Sequence, residues 1–174
     1  MGNFRRTSGG KDLPLVECVN PRLSRYRVRW DIQEETSSEI DINDKSNTVS
    51  FVEYELNHKP TIDEIKDIII GWHNKKIEEE IASGFEWNGM RIWLSTENQF
   101  NYKAAYDMAV QTKGLNLPIT FKFGDSSNPV YFEFTNVDTL ADFYVSAMSF
   151  INSTLKNGWE IKDSIDFNVY EQYL

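Results

Sequence analysis

Three times along this chain, a pair of β-like runs is followed by a helix that opens on a capping box and closes on glycine. The boxes stand at Thr61-Ile-Asp-Glu64, Thr96-Glu-Asn-Gln99 and Thr135-Asn-Val-Asp138, and the closing glycines are Gly84, Gly114 and Gly158. In such a box the threonine hydroxyl accepts from a free N–H of the first turn. The acid or amide three residues on reaches back to the threonine N–H, so two orphan donors are satisfied together. Glycine then tolerates the left-handed conformation that commonly ends a helix. Strand pairs alternating with helices predict an α+β fold. The expected architecture is antiparallel strand pairs and hairpins alternating with three helices, plus an extended N-terminal arm.

Residues 1–24 read as an extended basic arm, because Gly9, Gly10, Pro14 and Pro21 punctuate it and no apolar period lasts. Residues 25–58 read as a strand pair. In the first strand Tyr26, Val28, Trp30 and Ile32 alternate with polar residues, the period of a strand with one buried face. The second covers Thr48–Leu56, where apolar residues on both parities predict a bulge or burial on both sides. Between them Glu34–Asn47 is polar. Asp41, Asn43 and Asp44 resemble a calcium loop, but Lys45 takes a ligand position and no glycine follows, so calcium is not expected.

Residues 59–166 carry the main α+β domain. Ile62, Ile65, Ile69, Trp72 or His73, Ile77 and Ile81 form a stripe at helical spacing. Asn88-Gly89 between Phe85–Trp87 and Met90–Leu94 predicts a hairpin with a type I′ turn. The second helix carries Phe100, Ala104, Ala105, Met108 and Ala109 as its apolar face. A second hairpin crosses Gly124–Pro129, and the third helix holds Leu140, Tyr144, Ala147, Ile151 and Leu155, ended or kinked at Gly158. Ile65, Ile69, Trp87, Tyr144 and Ile151 are expected in the core. Residues 167–174 form an apolar segment expected to dock on something.

Charge is unevenly distributed. Residues 1–30 hold seven basic side chains against Asp12 and Glu17, whereas the rest of the chain holds eleven against twenty-five acidic ones. An acidic body repels phosphate, so nucleic acid is not an expected partner. The basic arm could bind a phosphate backbone or a second acidic protein, and the alternative is a flexible, solvated tail. The candidate partner-binding residues are Arg5, Arg6, Lys11 and Arg22 in the arm and Phe167, Tyr170, Tyr173 and Leu174 at the other end. Arg5 and Arg6 are followed by Thr-Ser-Gly-Gly rather than an apolar region, so no signal peptide is read. The longest aliphatic run is Ile68-Ile69-Ile70. Synthesis in a cytoplasm and no membrane contact are the expectation.

No catalytic constellation emerges. His58 and His73 have no histidine or cysteine at zinc-ligand spacing, and Cys18 stands alone, so no metal, cofactor or catalytic residue is expected. Cys18 reads as a small buried hydrophobe. Tyr131, Trp93, Trp87 and Trp159 could line a sugar platform, although regular alternation in strands favours core packing.

Lys59-Pro60-Thr61, Ile81-Ala-Ser-Gly84-Phe85, Trp87-Asn-Gly89, Thr96-Glu-Asn-Gln99-Phe-Asn101-Tyr102, Gly158-Trp159 and Lys162-Asp163-Ser-Ile165 follow one another in a telling order. Over Lys59 to Asp166 the chain thereby resembles a DUF4376-like domain of unknown function from tailed phages and prophages. In phages that domain often lies in tail-fibre or tail-fibre-assembly proteins. The resemblance brings no catalytic residue. It implies a non-enzymatic structural or adaptor protein of the virion tail, made in the host cytoplasm. Its partners would be other tail proteins, fibre or baseplate subunits, and further copies of itself. A tail-fibre assembly chaperone is the alternative, and a glycan-acting enzyme the remote one.

Overall fold

The computed structural model describes residues 4–34, 48–125 and 127–174. The stretch read as a possible calcium loop, Asp41 to Lys45, therefore lies outside the described residues. The fold is α+β, with three α-helices and eight strands in antiparallel pairs and sheets among the described residues. It divides into two compact units. One takes the described residues up to Trp72 together with Ile165–Leu174, and the other takes His73–Ser164. These boundaries differ from those read at residues 58/59 and 166/167, because helix α1 (Ile62–Ser83) runs through the first boundary without a break.

Unit 1 is built on a four-stranded antiparallel sheet. Strands β1 (Arg5–Gly10), β2 (Val16–Asn20), β3 (Arg25–Glu34) and β4 (Thr48–Leu56) lie in the order β1-β4-β3-β2. Residues 5–10 and 16–20 are extended as expected, and they pair as the two edges of this sheet. Their sequence hid this, because β1 contributes little apolar burial. The ladder to β4 holds it, with Arg5 opposite Glu53 and Gly9 opposite Val49. A Cβ on Gly9 would meet the Phe51 ring at 3.2 Å, so glycine here allows close approach inside a strand.

One face of the sheet buries Val16, Val28, Trp30 and Val52 against Ile65, Ile69 and Trp72 of α1. The alternation read in β3 fails at its end. Asp31 adopts φ 51° and the register to β4 shifts between Trp30 and Gln33. That bulge turns Ile32 outward, leaving it 51 % exposed. The double-sided burial expected in β4 is present, since Phe51 and Val52 are both buried on opposite faces. Cys18, expected inside, is exposed: it shares the face of Val16 but lies opposite Tyr26 at the end of this edge strand, where the register shifts.

Unit 2 combines the second half of α1 with two hairpins and two helices. The hairpins are β5 (Phe85–Trp87) with β6 (Met90–Ile92), and β7 (Ile119–Gly124) with β8 (Pro129–Phe134); the helices are α2 (Thr96–Gln111) and α3 (Val137–Asp163). Asn88 and Gly89 have φ 49° and 73°, as a type I′ turn requires. The α1 box forms as read: Thr61 N donates to Glu64 Oε2 at 2.8 Å and Glu64 N to Thr61 Oγ1 at 3.3 Å. The other two caps sit one residue away from the boxes that were read. Ser95 Oγ caps α2 by accepting from Asn98 N, and Asn136 Oδ1 caps α3 by accepting from Thr139 N. Serine and asparagine outrank threonine as N-caps, which accounts for both shifts.

Aromatic rings dominate this core. Phe143 is fully buried among Phe85, Trp87, Tyr102, Phe121, Phe123 and Phe134. Ile65, Ile69 and Trp87 are buried as expected, whereas Tyr144 and Ile151 are only half-buried on the flank of the core. Of the residues read for α2, Ala109 is buried, whereas Phe100 and Met108 are 72 % and 55 % exposed; Tyr102, which was not among them, points inward. Gly158 neither ends nor kinks α3. It is buried in mid-helix, where a Cβ would come within 2.5 Å of Ile77 Cγ1. Gly158→Ala should therefore lower stability by roughly 1–3 kcal/mol, read as a reduced urea midpoint. An unchanged midpoint would show that Ile77 moves aside freely.

Candidate functional site

The basic residues proposed to bind a partner are mostly engaged within unit 1. Arg5 pairs with Glu53, Arg6 pairs with Asp31 and also donates to Ser50 Oγ at 3.0 Å, and Lys11 Nζ donates to Glu34 Oε1 at 2.8 Å. The Lys11 contact holds the Glu34 carboxyl below its usual range. Only Arg22 stands clear, exposed on the 3-10 turn Pro21–Leu23 beside a 57 % exposed Leu23.

The C-terminal residues do dock, but on their own unit. Residues Phe167–Tyr173 form a 3-10 turn in which Tyr170 is 4 % exposed and its hydroxyl donates to Arg29 O at 2.9 Å. Burial pushes this phenol up to about 12. Phe167, Tyr173 and Leu174 pack around the same core, and Lys59 donates to the Leu174 carbonyl. Tyr170 is therefore a core residue rather than a partner contact. The expectation that so apolar a segment must cover something is met by the sheet of its own chain.

The second face of that sheet carries interleaved charges because β2, β3 and β4 present Glu17, Arg27, Arg29, Glu53 and Glu55 on one parity. Arg29 and Glu53 are 4 % and 6 % exposed. Arg29 donates to Glu17 Oε2 at 2.5 Å and Pro14 O at 2.8 Å, lies 3.7 Å from Glu53 Oε2, and sits over the Phe51 ring at 5.4 Å. Its Nε has no hydrogen-bond partner among the described residues. Arg5, Arg27, Glu53 and Glu55 border a shallow cavity of about 200 Å³. With charges this closely matched, the arrangement holds strands together and gives a ligand no preferred sign.

Unit 2 offers more to a partner. Of the four aromatics considered for a platform, Trp87 is in the core, with Nε1 donating to Asp142 Oδ2 at 3.0 Å. Trp93, Tyr131 and Trp159 are 54 %, 67 % and 54 % exposed. Trp93 lies just past β6, and the strand's alternation carries on through it: Ile92 and Leu94 beside it are sealed at 0 % and 1 %, so the indole between them faces out. It borders two cavities, of about 340 Å³ and about 530 Å³. Sequence reasoning missed the charged residues around it, Glu78, Glu79, Arg91 and Asp125. They come from a helix end, a strand and a hairpin tip, and no local spacing links them. Phe100, Ala104 and Met108 form a further exposed row one turn apart on α2.

Among the described residues, no three His, Cys, Asp or Glu side chains gather to hold a metal ion, and no helix is long and apolar enough to cross a membrane. His58 Nε2 bonds Glu64 Oε1 at 2.8 Å. The Glu64 carboxyl is held below its usual range, first by the Thr61 backbone N–H and then by His58. No family model matches this chain, and no curated protein or solved structure matches it either.

Proposed function

We propose that this chain is a non-enzymatic structural or adaptor protein of a tailed-phage tail that attaches or builds a fibre or baseplate part. The order of short motifs between Lys59 and Asp166 supports the phage setting. The observation that carries an adaptor role is the apolar surface of unit 2. Apolar residues scattered singly over a surface need no explanation, but a row along one helix face does. Phe100, Ala104 and Met108 make such a row, and Leu115, at 89 % exposure, follows the same helix. The core of unit 2 closes without any of them. Their burial against a fibre or baseplate subunit, or against another copy of this chain, would supply binding energy without an acid–base pair.

Quantitative proteomics of purified virions, with the particle-free fraction of the same lysate, tests this reading. Stoichiometric presence in the particle is the expected result. Presence only with free fibres would replace it with the assembly-chaperone role. A catalytic turnover abolished by one carboxylate substitution would overturn the non-enzymatic assignment.

A further inference from the structure

The larger cavity beside Trp93 has an indole and Ala82 as its apolar wall and Glu78 and Glu79 at its rim. Trp93 makes no ring contact among the described residues, is 54 % exposed and lines both cavities. Glu78 makes no ion pair among them either. Glu79 lies 3.7 Å from Lys75, but both side chains are more than 60 % exposed, and such a pair contributes little and exchanges readily. In the smaller cavity, Arg91 and Asp125 have opposite charges and are partly committed to holding the local backbone. Arg91 Nε donates to Ser83 O at 3.2 Å, and Asp125 Oδ1 accepts from Ser127 N and Asn128 N at 2.7 and 2.8 Å. Beside the indole, Glu78 therefore carries the charge without an ion pair among the described residues, and Glu79 adds its own whenever the exposed Lys75 pair opens. Unit 2 as a whole carries twelve acidic against eight basic side chains.

We propose that this cavity binds a lysine or arginine side chain presented by an exposed basic segment of a different protein. A cation over an indole is attracted by the negative face of the ring, and tryptophan is the best of the aromatics for this. The aliphatic stem of the same side chain can lie on the indole and Ala82 while its head stays at the carboxylates and water. The site does not depend on the tail assignment, since the charge and the exposed ring would select a basic segment in any setting.

The test uses the full chain uniformly labelled with nitrogen-15 and read at its indole and arginine side-chain nitrogens. The sequence has five tryptophans, and the Trp93 resonance is assigned as the one missing from Trp93→Phe. Acetyl-Gly-Arg-Gly-amide is titrated against the same peptide carrying citrulline, which keeps the shape and lacks the charge. The Trp93 resonance is expected to shift and saturate with arginine several-fold more tightly than with citrulline, and less tightly as salt rises. Trp93→Leu, followed at the Arg91 side-chain resonance, should weaken binding by roughly 2- to 5-fold, and Glu78→Gln with Glu79→Gln by roughly 2- to 10-fold. Equal response to citrulline, no response at Trp93, or a response only to a neutral oligosaccharide would overturn the proposal. So would concentration-dependent self-association by sedimentation that Arg22→Glu abolishes, which would assign the site to a second copy.

Discussion

Phe143→Ala should cost unit 2 about 3–5 kcal/mol, the largest loss expected from any single truncation in the chain. Phe143 is fully buried, with ring centroids of Tyr102 at 5.0 Å and of Trp87, Phe123 and Phe134 at 5.3 Å. Rigid rings from two hairpins and α2 surround it, and rings collapse into a void less readily than aliphatic chains do. The lost transfer energy and the residual cavity therefore add. Urea unfolding followed by near-UV circular dichroism reads the effect. Phe143→Leu, which keeps most of the volume, should lose clearly less. A loss below about 1.5 kcal/mol for alanine, the range of a volume-conserving swap, would mean that the neighbouring rings close over the hole.

Glu53→Gln should destabilise unit 1 by about 3 kcal/mol, the lower end of what removing one partner of a buried ion pair costs. Glu53 lies near three guanidiniums, those of Arg5, Arg27 and Arg29, and Arg29 is itself buried. Neutralising Glu53 leaves Arg29 in the interior with Glu17 as its remaining carboxylate. The loss is at the lower end because Glu17 and Pro14 O stay bonded. Replacing both residues together, as Glu53→Leu with Arg29→Met, should recover most of the stability, since a well-packed apolar pair of similar volume is often no worse than a buried ion pair. A double variant less stable than Glu53→Gln would show that the charges contribute more than their desolvation takes away.

Local chemistry made part of this fold readable. The Asn88-Gly89 turn and the Thr61 box each satisfy their own backbone within a few residues, so their meaning does not depend on what packs against them. The Ile65, Ile69, Ile77 and Ile81 stripe was legible for a related reason, because no second stripe competes with it on α1. Helix α2 carries two apolar rows of the same period, one through Phe100 and Met108 and one through Tyr102 and Ala109. Only the partner surface chooses between them: Tyr102 fits edge-on to Phe121 at 4.8 Å, and Tyr106 stacks on Tyr144 at 4.6 Å. β1 was illegible because its partner residues in β4 are distant in sequence, from Gly10 opposite Thr48 to Arg5 opposite Glu53, and the acids that match its arginines, Glu53 and Asp31, come near only on folding. The exposure of Ile32 depends on one positive φ at Asp31, which no alternation pattern carries. At the candidate site the exposed Trp93 was singled out, but Glu78, Glu79, Arg91 and Asp125 became its neighbours only through tertiary folding.

Unit 1 takes its core from both sides of unit 2 in the chain, with Val28, Trp30 and Ile69 before it and Tyr170 after it. This fixes an order of events on the ribosome. Residues 73–164 hold everything their own core needs and can close as soon as they emerge. The sheet of unit 1, although synthesised first, must wait through all of that stretch with the surface beneath Tyr170 uncovered and the Arg29 carbonyl lacking that hydroxyl donor. During that interval α1 can already cover most of the sheet face, and the nascent chain leaves open only the patch that the segment around Tyr170 hides in the finished protein.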